Sequence, residues 1–590
     1  MKVMFYAPHS AIWVFAFPEA LVAEALMQEG NEIVYIGCRR QFRSYCVAMS
    51  AYGLKFDSPE ASKEKVCQIC ERNKALLRKG FGLKGSDVAD ELTADDDRQI
   101  ENILQNASPE NYLDLDVSGI KVGRLALYEF LLNHKKNDLT IGEHEWKEFR
   151  GALKNSIASA LASLKIIERE KPDRLITYNS FYAVNHVACK AAEKYSVPHY
   201  LLHAGATMAN RMETLSLTKG YSYNYITRSS LWQLYRNFPC TKSQLSKVTD
   251  HILTLFKARS VFVYSRPASG EHADLRARFG ISATQKVLVA TMSSHDERFA
   301  SVTIGTMPDD PGVVFPTQVD WIKALVAYVT IRPELFLIIR VHPREFPNKR
   351  ESVVSAYAAQ LQSQLTNLPA NVRVNWPSDN ISLYDLASIV DVFLNSRSTT
   401  GLEMAWLGLP VVVYSPDQLY SYPPDLSYTA NSQDEYFQKI EKALGNGWDI
   451  EFSRMAYRWG VFQFCHDTVN ISESYTSREE RASGILAIVF DKMRRKLAPE
   501  HLKRQDIRRR TPELKSKSLL NHFLETGKNT LVEAIDVDDV EKSSLAEETE
   551  ALRCELGRIY SALYQTERNP LPSSLQQHIL NFINSKGADK

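Results

Sequence analysis

No run of this sequence comes near the ~20 consecutive apolar residues that a membrane span requires. The opening stretch, Met1 to Phe15, carries a single lysine and then a short apolar run broken by Pro8, His9 and Ser10. That describes a buried strand and its loop rather than a signal peptide, so a cytoplasmic setting is expected. Net charge is also missing: the 590 residues sum to a formal +1. No global field draws such a chain to nucleic acid, and any membrane contact has to come from a local patch. Phosphate motifs are scarce. The loop after the first strand holds no glycine fingerprint, so no dinucleotide is expected there. GFGLKG at Gly80 to Gly85 matches G-x-G-x-x-G formally, but it follows a basic helical stretch instead of a strand and fails the context that gives the motif meaning. Asp-x-Asp pairs do not follow strands either. Asp114-Leu115-Asp116 falls in a helical region and Asp536-Val537-Asp538 in the tail, so neither a catalytic divalent ion nor a cofactor is expected.

Disulfides are excluded by the same reducing setting, although there are eight cysteines. Cys38, Cys46, Cys67 and Cys70 fall close together, and Cys67-Gln68-Ile69-Cys70 has the spacing of half a zinc site that Cys38 and Cys46 would complete. Buried free thiols are the other reading.

What is present is an ordinary globular composition, 44% hydrophobic and 24% charged, at a length too great for one core. A strand over 2–9, a helix over 11–29 closed by Gly30 and a strand over 32–38 open the chain as a parallel βαβ unit. From about 57 to 170 the pattern is polar and helical, an insertion. Strands return at 174–178 and 199–203. A turn-rich connector, Ser265 to Gly270, precedes a second βα series that starts at Lys286–Thr291. Three domains are expected: 1–265, α/β with the insertion; 266–490, α/β; and 491–590, an appendage without a core of its own. Its basic block, 493–510 (MRRKLAPEHLKRQDIRRR from Met493), is either a solvated helix face or a contact with anionic lipid headgroups.

The richest stretch runs from Leu335 to Ser415. Apolar, β-branched runs end there in polar clusters, as strands do where α/β sheets hold ligands. Val341 gives way to His342-Pro343-Arg344, and Leu394 to Asn395-Ser396-Arg397-Ser398-Thr399-Thr400-Gly401. The second cluster sits at a strand-to-helix junction, where hydroxyls, free N–H groups and the helix dipole suit a phosphate. Plain N-capping is the alternative. Glu403, one turn in, is placed to accept a hydrogen bond from a ribose-type hydroxyl. His342, stiffened by Pro343 and flanked by Arg340 and Arg344, is expected to donate to a phosphate or nucleotide carbonyl. The loop after 286–291 adds Ser293, Ser294 and Arg298 to the donor side.

With these residues quoted, a resemblance can be stated. LIIRVHPRE followed by SLYDLASIVDVFLNSRSTTGLEMAWLGLPVVVY resembles the capsule polysaccharide biosynthesis transferases. These are GT-B glycosyltransferases that include the Kdo transferases and are related in pattern to bacterial polysialyltransferases. The resemblance is firm over 286–415, loose over the amino-terminal unit and absent from the tail. It implies two facing Rossmann-like domains, metal-independent catalysis, and a CMP-activated sugar held by His342-Pro343 and Ser398-Thr399-Thr400. It also implies a surface-polysaccharide or glycolipid acceptor at the cytoplasmic face. The clustered cysteines resemble a pattern of some members, which favours the structural zinc. The acceptor-side base would come from His203, His9 or Glu213. The same junction occurs in UDP-sugar-using GT-B enzymes and in CDP-glycerol-type transferases, so those donors stay open. A GT-B-fold epimerase or hydrolase and a non-catalytic scaffold are the remaining alternatives.

Overall fold

The computed structural model describes residues 1–205, 211–221, 225–258, 264–268, 275–307, 309, 314–348, 352–414, 423–473, 499–510, 514–564 and 574–585. Its strands are β1 (Lys2–Tyr6), β2 (Glu32–Ile36), β3 (Arg174–Tyr178), β4 (His199–Ala204), β5 (Thr214–Lys219), β6 (Lys286–Thr291), β7 (Leu335–Arg340), β8 (Val372–Asn375), β9 (Val392–Asn395), β10 (Val411–Val413) and β11 (Val469–Asn470). They form two separate sheets, ordered β11-β5-β4-β3-β1-β2 and β10-β9-β6-β7-β8. The chain is thus α/β with two Rossmann-like units, as expected.

The first unit comprises Met1–Asn224, Arg298–Pro308 and His466–Asp536. Strands β2, β1, β3 and β4 run parallel, and β5 and β11 add an antiparallel edge that periodicity missed. The apolar runs of β1 and β3 are buried, and the helices Trp13–Gln28 and Glu143–Glu170 belong to the two cores beside them. GFGLKG now has a structural role. Gly82, at φ +69°, ends the helix Glu60–Phe81, and Lys84 then bridges β2 at Val34. A Cβ on Gly85 would lie 2.3 Å from the Tyr35 carbonyl oxygen, so glycine is required there for the backbone to approach β2.

The second unit comprises Tyr225–Glu297, Asp309–Cys465 and Val537–Lys590. All five strands are parallel, and β6 lies between β7 and β9. In order of appearance this is 5-4-1-2-3, so the sheet reverses its winding at β6/β9, the topological switch point.

Two expected boundaries change. The helices Tyr225–Tyr235 and Lys242–Phe256 belong to the second unit, not to a domain ending at 265, because their buried faces find partners there. Trp232 meets Trp459 edge-on at 5.4 Å and donates to Asp425, and Thr249 bonds Tyr457 at 2.9 Å. The tail is not a separate appendage either. Its helix Lys517–Thr526 puts Leu520, Phe523 and Leu524 into the first unit's core, while Leu545–Tyr564 packs on Lys242–Phe256 in the second. These two tail helices each bury an apolar stripe, one on the first unit and one on the second.

Part of the basic block is accounted for in the same way. Residues 493–498 lie outside the described residues. In the helix Pro499–Arg509, Asp506 accepts from Trp13 at 3.0 Å and Lys503 donates to Asn73 at 2.8 Å. Arg510 grips Glu24 through two nitrogens and lies over the Phe81 ring at 4.1 Å. Among the described residues no helix is long and apolar enough to cross a membrane.

Candidate functional site

The second unit's switch point gathers most of the expected donor residues. The loop after β6 and the loop after β9 are tied together: the Arg397 N–H donates to Ser293 Oγ at 2.8 Å, and the Ser396 N–H to the Thr291 carbonyl at 3.1 Å. Below them, the Thr291 and Thr400 hydroxyls both donate to Asn395 Oδ1, at 3.0 and 3.2 Å. Gln318 clasps the backbone of Ser293 from both sides, accepting its N–H at 2.8 Å and donating to its carbonyl at 3.3 Å. Ser396 is fully buried, and its hydroxyl finds no hydrogen-bond partner among the described residues.

The Ser/Thr cluster divides its labour. Ser398 Oγ accepts the Thr400 N–H at 3.3 Å, the capping alternative, and Thr400 braces the strand end. Thr399 is exposed, and Gly401 is buried in the first turn of a helix, Thr400–Trp406, of only seven residues. So short a helix makes a weak dipole, and the anion-binding capacity expected of its end falls mainly to side chains and loop N–H groups. Glu403 accepts from the Tyr384 hydroxyl at 2.9 Å, and burial pushes its carboxyl up to about 7.

Beyond the neighbouring strand β7, His342 starts a 3₁₀ turn, Pro343–Glu345. Its Nδ1 accepts the Arg344 N–H at 3.2 Å, which leaves the imidazole proton on Nε2. The two flanking arginines are engaged by protein groups. Arg340 donates to Asn375 Oδ1 at 2.5 Å and to the Ile381 carbonyl at 3.1 Å, and burial lowers its pKa to about 10. Arg344 is ion-paired to Asp296 at 2.8 Å. Ser294 donates to the same aspartate at 2.5 Å. Arg298, expected beside these groups, falls in the first unit, where the Ala300 and Ile304 that follow it enter the core. Its grouping with the donor residues is not reproduced within the second unit.

The candidate bases lie in the first unit. His9 is in the loop after β1, at that sheet's own switch point between β1 and β3. It packs edge-on to Tyr182 at 5.7 Å, burial pushes its pKa down to about 4, and its Nε2 has no hydrogen-bond partner among the described residues. His203 is one residue short of the end of β4, opposite Ser216, and burial pushes it down to about 3. Glu213 precedes β5, where its carbonyl accepts the Ile471 N–H at 2.9 Å. A structural zinc does not fit. Among the described residues no group of three or more His, Cys, Asp or Glu could hold a metal ion. Burial pushes the Cys46 and Cys70 thiols up to about 11 and 12. Cys70 instead donates to the Pro8 carbonyl at 3.7 Å, and Cys38 accepts the Phe42 N–H at 3.4 Å.

Sequence reasoning nominated the loop residues but gave no role to Thr291, Gln318, Asp296, Tyr384 or Arg397. Each acts across elements distant in sequence, and only the strand order brings them together. The chain thus holds two Rossmann-like units, each with polar loops at its switch point. No family model matches the chain, and no curated protein matches it. Among solved structures, it is similar to the UDP-GlcNAc 2-epimerase of Neisseria meningitidis bound to UDP-GlcNAc, at 12% identity over 78% of this chain and 96% of that one, with a TM-score of 0.25. The UDP-GlcNAc 2-epimerase of Methanocaldococcus jannaschii matches at 12% over 78% and 98%, with a TM-score of 0.26. The spinosyn rhamnosyltransferase SpnG with thymidine diphosphate matches at 13% over 78% and 95%, with a TM-score of 0.23. Likeness at this level carries no argument about chemistry, and the fold rests on the strand order.

Proposed function

We propose that the chain is a GT-B-type glycosyltransferase whose second unit holds the nucleotide of an activated sugar at the β6/β9 switch point. One observation carries the reading: the loops after β6 and β9 are joined there by the Arg397 to Ser293 hydrogen bond, with His342 in the loop after the adjacent strand β7. His342, protonated on Nε2, offers a donor to a phosphate oxygen, and Ser396 Oγ offers a buried hydroxyl with no protein partner among the described residues. As the sugar leaves, these donors and the loop N–H groups stabilise the charge gathering on the phosphate. The acceptor-side base that the family resemblance implies would be His9, His203 or Glu213.

A CMP-activated Kdo- or sialic-acid-like donor and a polysaccharide or glycolipid acceptor follow from the family resemblance. A lipid-linked acceptor would bring the chain to the inner membrane face, which the exposed Arg504 and Arg508 suit. Thermal shift against CMP, CDP, UDP and GDP tests the reading. One of these nucleotides is expected to raise the melting temperature, and His342→Ala to weaken that nucleotide ~10–100-fold, the loss of one hydrogen bond to a charged group, while keeping the fold. If none of the four binds, the proposal fails. Turnover of a nucleotide sugar without acceptor would mark an epimerase or hydrolase instead.

A further inference from the structure

We propose that Arg344 and Asp296 form a positioning pair that presents His342 to the donor, and that Arg344 does not itself bind it. The inference rests on the nucleotide site proposed above. Both side chains are almost wholly buried, at 4% and 2% exposure. Arg344 Nε and Nη2 both donate to Asp296, at 3.2 and 2.8 Å, and Nη1 donates to the Tyr264 hydroxyl at 3.1 Å. A guanidinium so occupied has few directions left for a phosphate. Nearby, the half-exposed Glu297 lies 3.5 Å from Nε.

What the pair achieves is visible in its neighbours. Asp296 also accepts from Ser294 at 2.5 Å and lies in the first turn of the helix His295–Thr303 that follows β6, whereas Arg344 belongs to the turn that follows β7. The next residue repeats the link: Glu345 accepts the His295 N–H at 3.1 Å and the Ser355 hydroxyl. Two adjacent side chains of opposite charge therefore clamp the turn after β7 onto the start of that helix. Within that clamped turn the Arg344 N–H reaches His342 Nδ1 and sets its tautomer. The Tyr264 ring lies edge-on to the imidazole at 5.8 Å, so the hydroxyl that touches Arg344 belongs to a ring that touches His342.

A buried ion pair is a poor device for stability, because desolvating two charges offsets most of their attraction and apolar residues of similar size would serve as well. It is a good device for geometry, since a bidentate guanidinium–carboxylate contact tolerates little rotation. Outer partners that orient a ligating histidine act in this way at metal sites, where losing one typically weakens binding ~10–100-fold.

The test is a cycle. Arg344→Lys and Asp296→Asn are made alone and in the His342→Ala background, and affinity for the nucleotide identified by thermal shift is measured by calorimetry. The ¹⁵N resonances of the His342 imidazole, assigned by their loss in His342→Ala, report the tautomer without any ligand. Each single variant is expected to weaken the nucleotide ~10–100-fold when His342 is present and less than ~2-fold when it is absent. The Nε2-protonated form of the parent should give way to a mixture. Equal losses in both backgrounds would show Arg344 touching the donor directly, and an unchanged tautomer would remove the coupling; either result overturns the proposal. Tyr264→Phe removes only one hydrogen bond from the pair and should move the same resonances in the same direction, so it answers the question if the ionic variants do not fold. If the parent binds no nucleotide, the functional proposal fails, and the ¹⁵N result still decides the positioning pair.

Discussion

Replacing Glu548 with Ala is expected to lower stability by ~3–5 kcal/mol, the cost of breaking a buried charge network by removing one partner. Glu548 belongs to the tail and is 1% exposed. Its carboxylate accepts from Arg458 through two nitrogens at 2.6 and 2.8 Å, from Arg454 at 3.1 Å and from the Cys240 N–H at 2.8 Å. Truncation leaves two nearly buried guanidinium groups facing each other and one backbone donor unsatisfied. Urea denaturation of the full chain gives the value. The control is a triple replacement of Glu548, Arg454 and Arg458 by Met, which removes the buried charges, leaves only the exposed Glu451 that also pairs with Arg454, and should recover most of the loss. A Glu548→Ala loss under ~1 kcal/mol, the range of an exposed ion pair, would mean that the tail is the loosely held appendage its polar composition suggests.

That contrast shows where the sequence was informative. The β-branched runs of β6, β7 and β9 and their polar ends are local patterns, and all three strands and their loops stand where periodicity places them. Setting GFGLKG aside as a phosphate loop also needed only the absence of a preceding strand. Partnership across distance was not legible. The tail carries few apolar residues per helix, and nothing local says that Leu520 and Phe523 complete the first unit's core while Leu552 and Leu556 are buried in the second unit. Arg344 shows the same limit at the site. Next to His342 in a polar loop it has the appearance of a phosphate ligand, and only the pairing of β6 with β7 brings Asp296 within reach. The cysteine cluster failed for a related reason: spacing gives proximity along a chain, but a metal needs thiols converging on one point, and Cys70 and Cys38 meet the Pro8 carbonyl and the Phe42 N–H instead.

Glu19→Gln is expected to stabilise the protein, and to do so only above acidic pH. Glu19 lies in the middle of the helix Trp13–Gln28, 4% exposed, where one carboxyl oxygen accepts the Tyr178 N–H at 3.3 Å. The groups that act on it are tyrosines, Tyr35 and Tyr178, which supply no compensating positive charge, and burial pushes its pKa up from 4.5 to about 8. Between those two values the folded chain holds a proton that the unfolded chain has released. Stability from this group is therefore full below pH 4.5 and falls by ~1.4 kcal/mol per pH unit as pH rises toward 8. By pH 7.5 the accumulated cost is roughly 3–4 kcal/mol on that slope. Glutamine keeps the shape and the carbonyl acceptor for Tyr178 but has no proton to lose. The variant should match the parent near pH 4.5 and exceed it by ~2–3 kcal/mol at pH 7.5, once a fraction is allowed for imperfect packing of the amide. Buried His9 and His199, both lowered to about 4, impose the opposite slope, with stability lost as pH falls below 6.5. They are present in both proteins and cancel in the difference. Urea midpoints at pH 4.5, 6 and 7.5 decide the matter, and a gap between variant and parent that does not widen with pH would show that Glu19 is ionised in the folded chain.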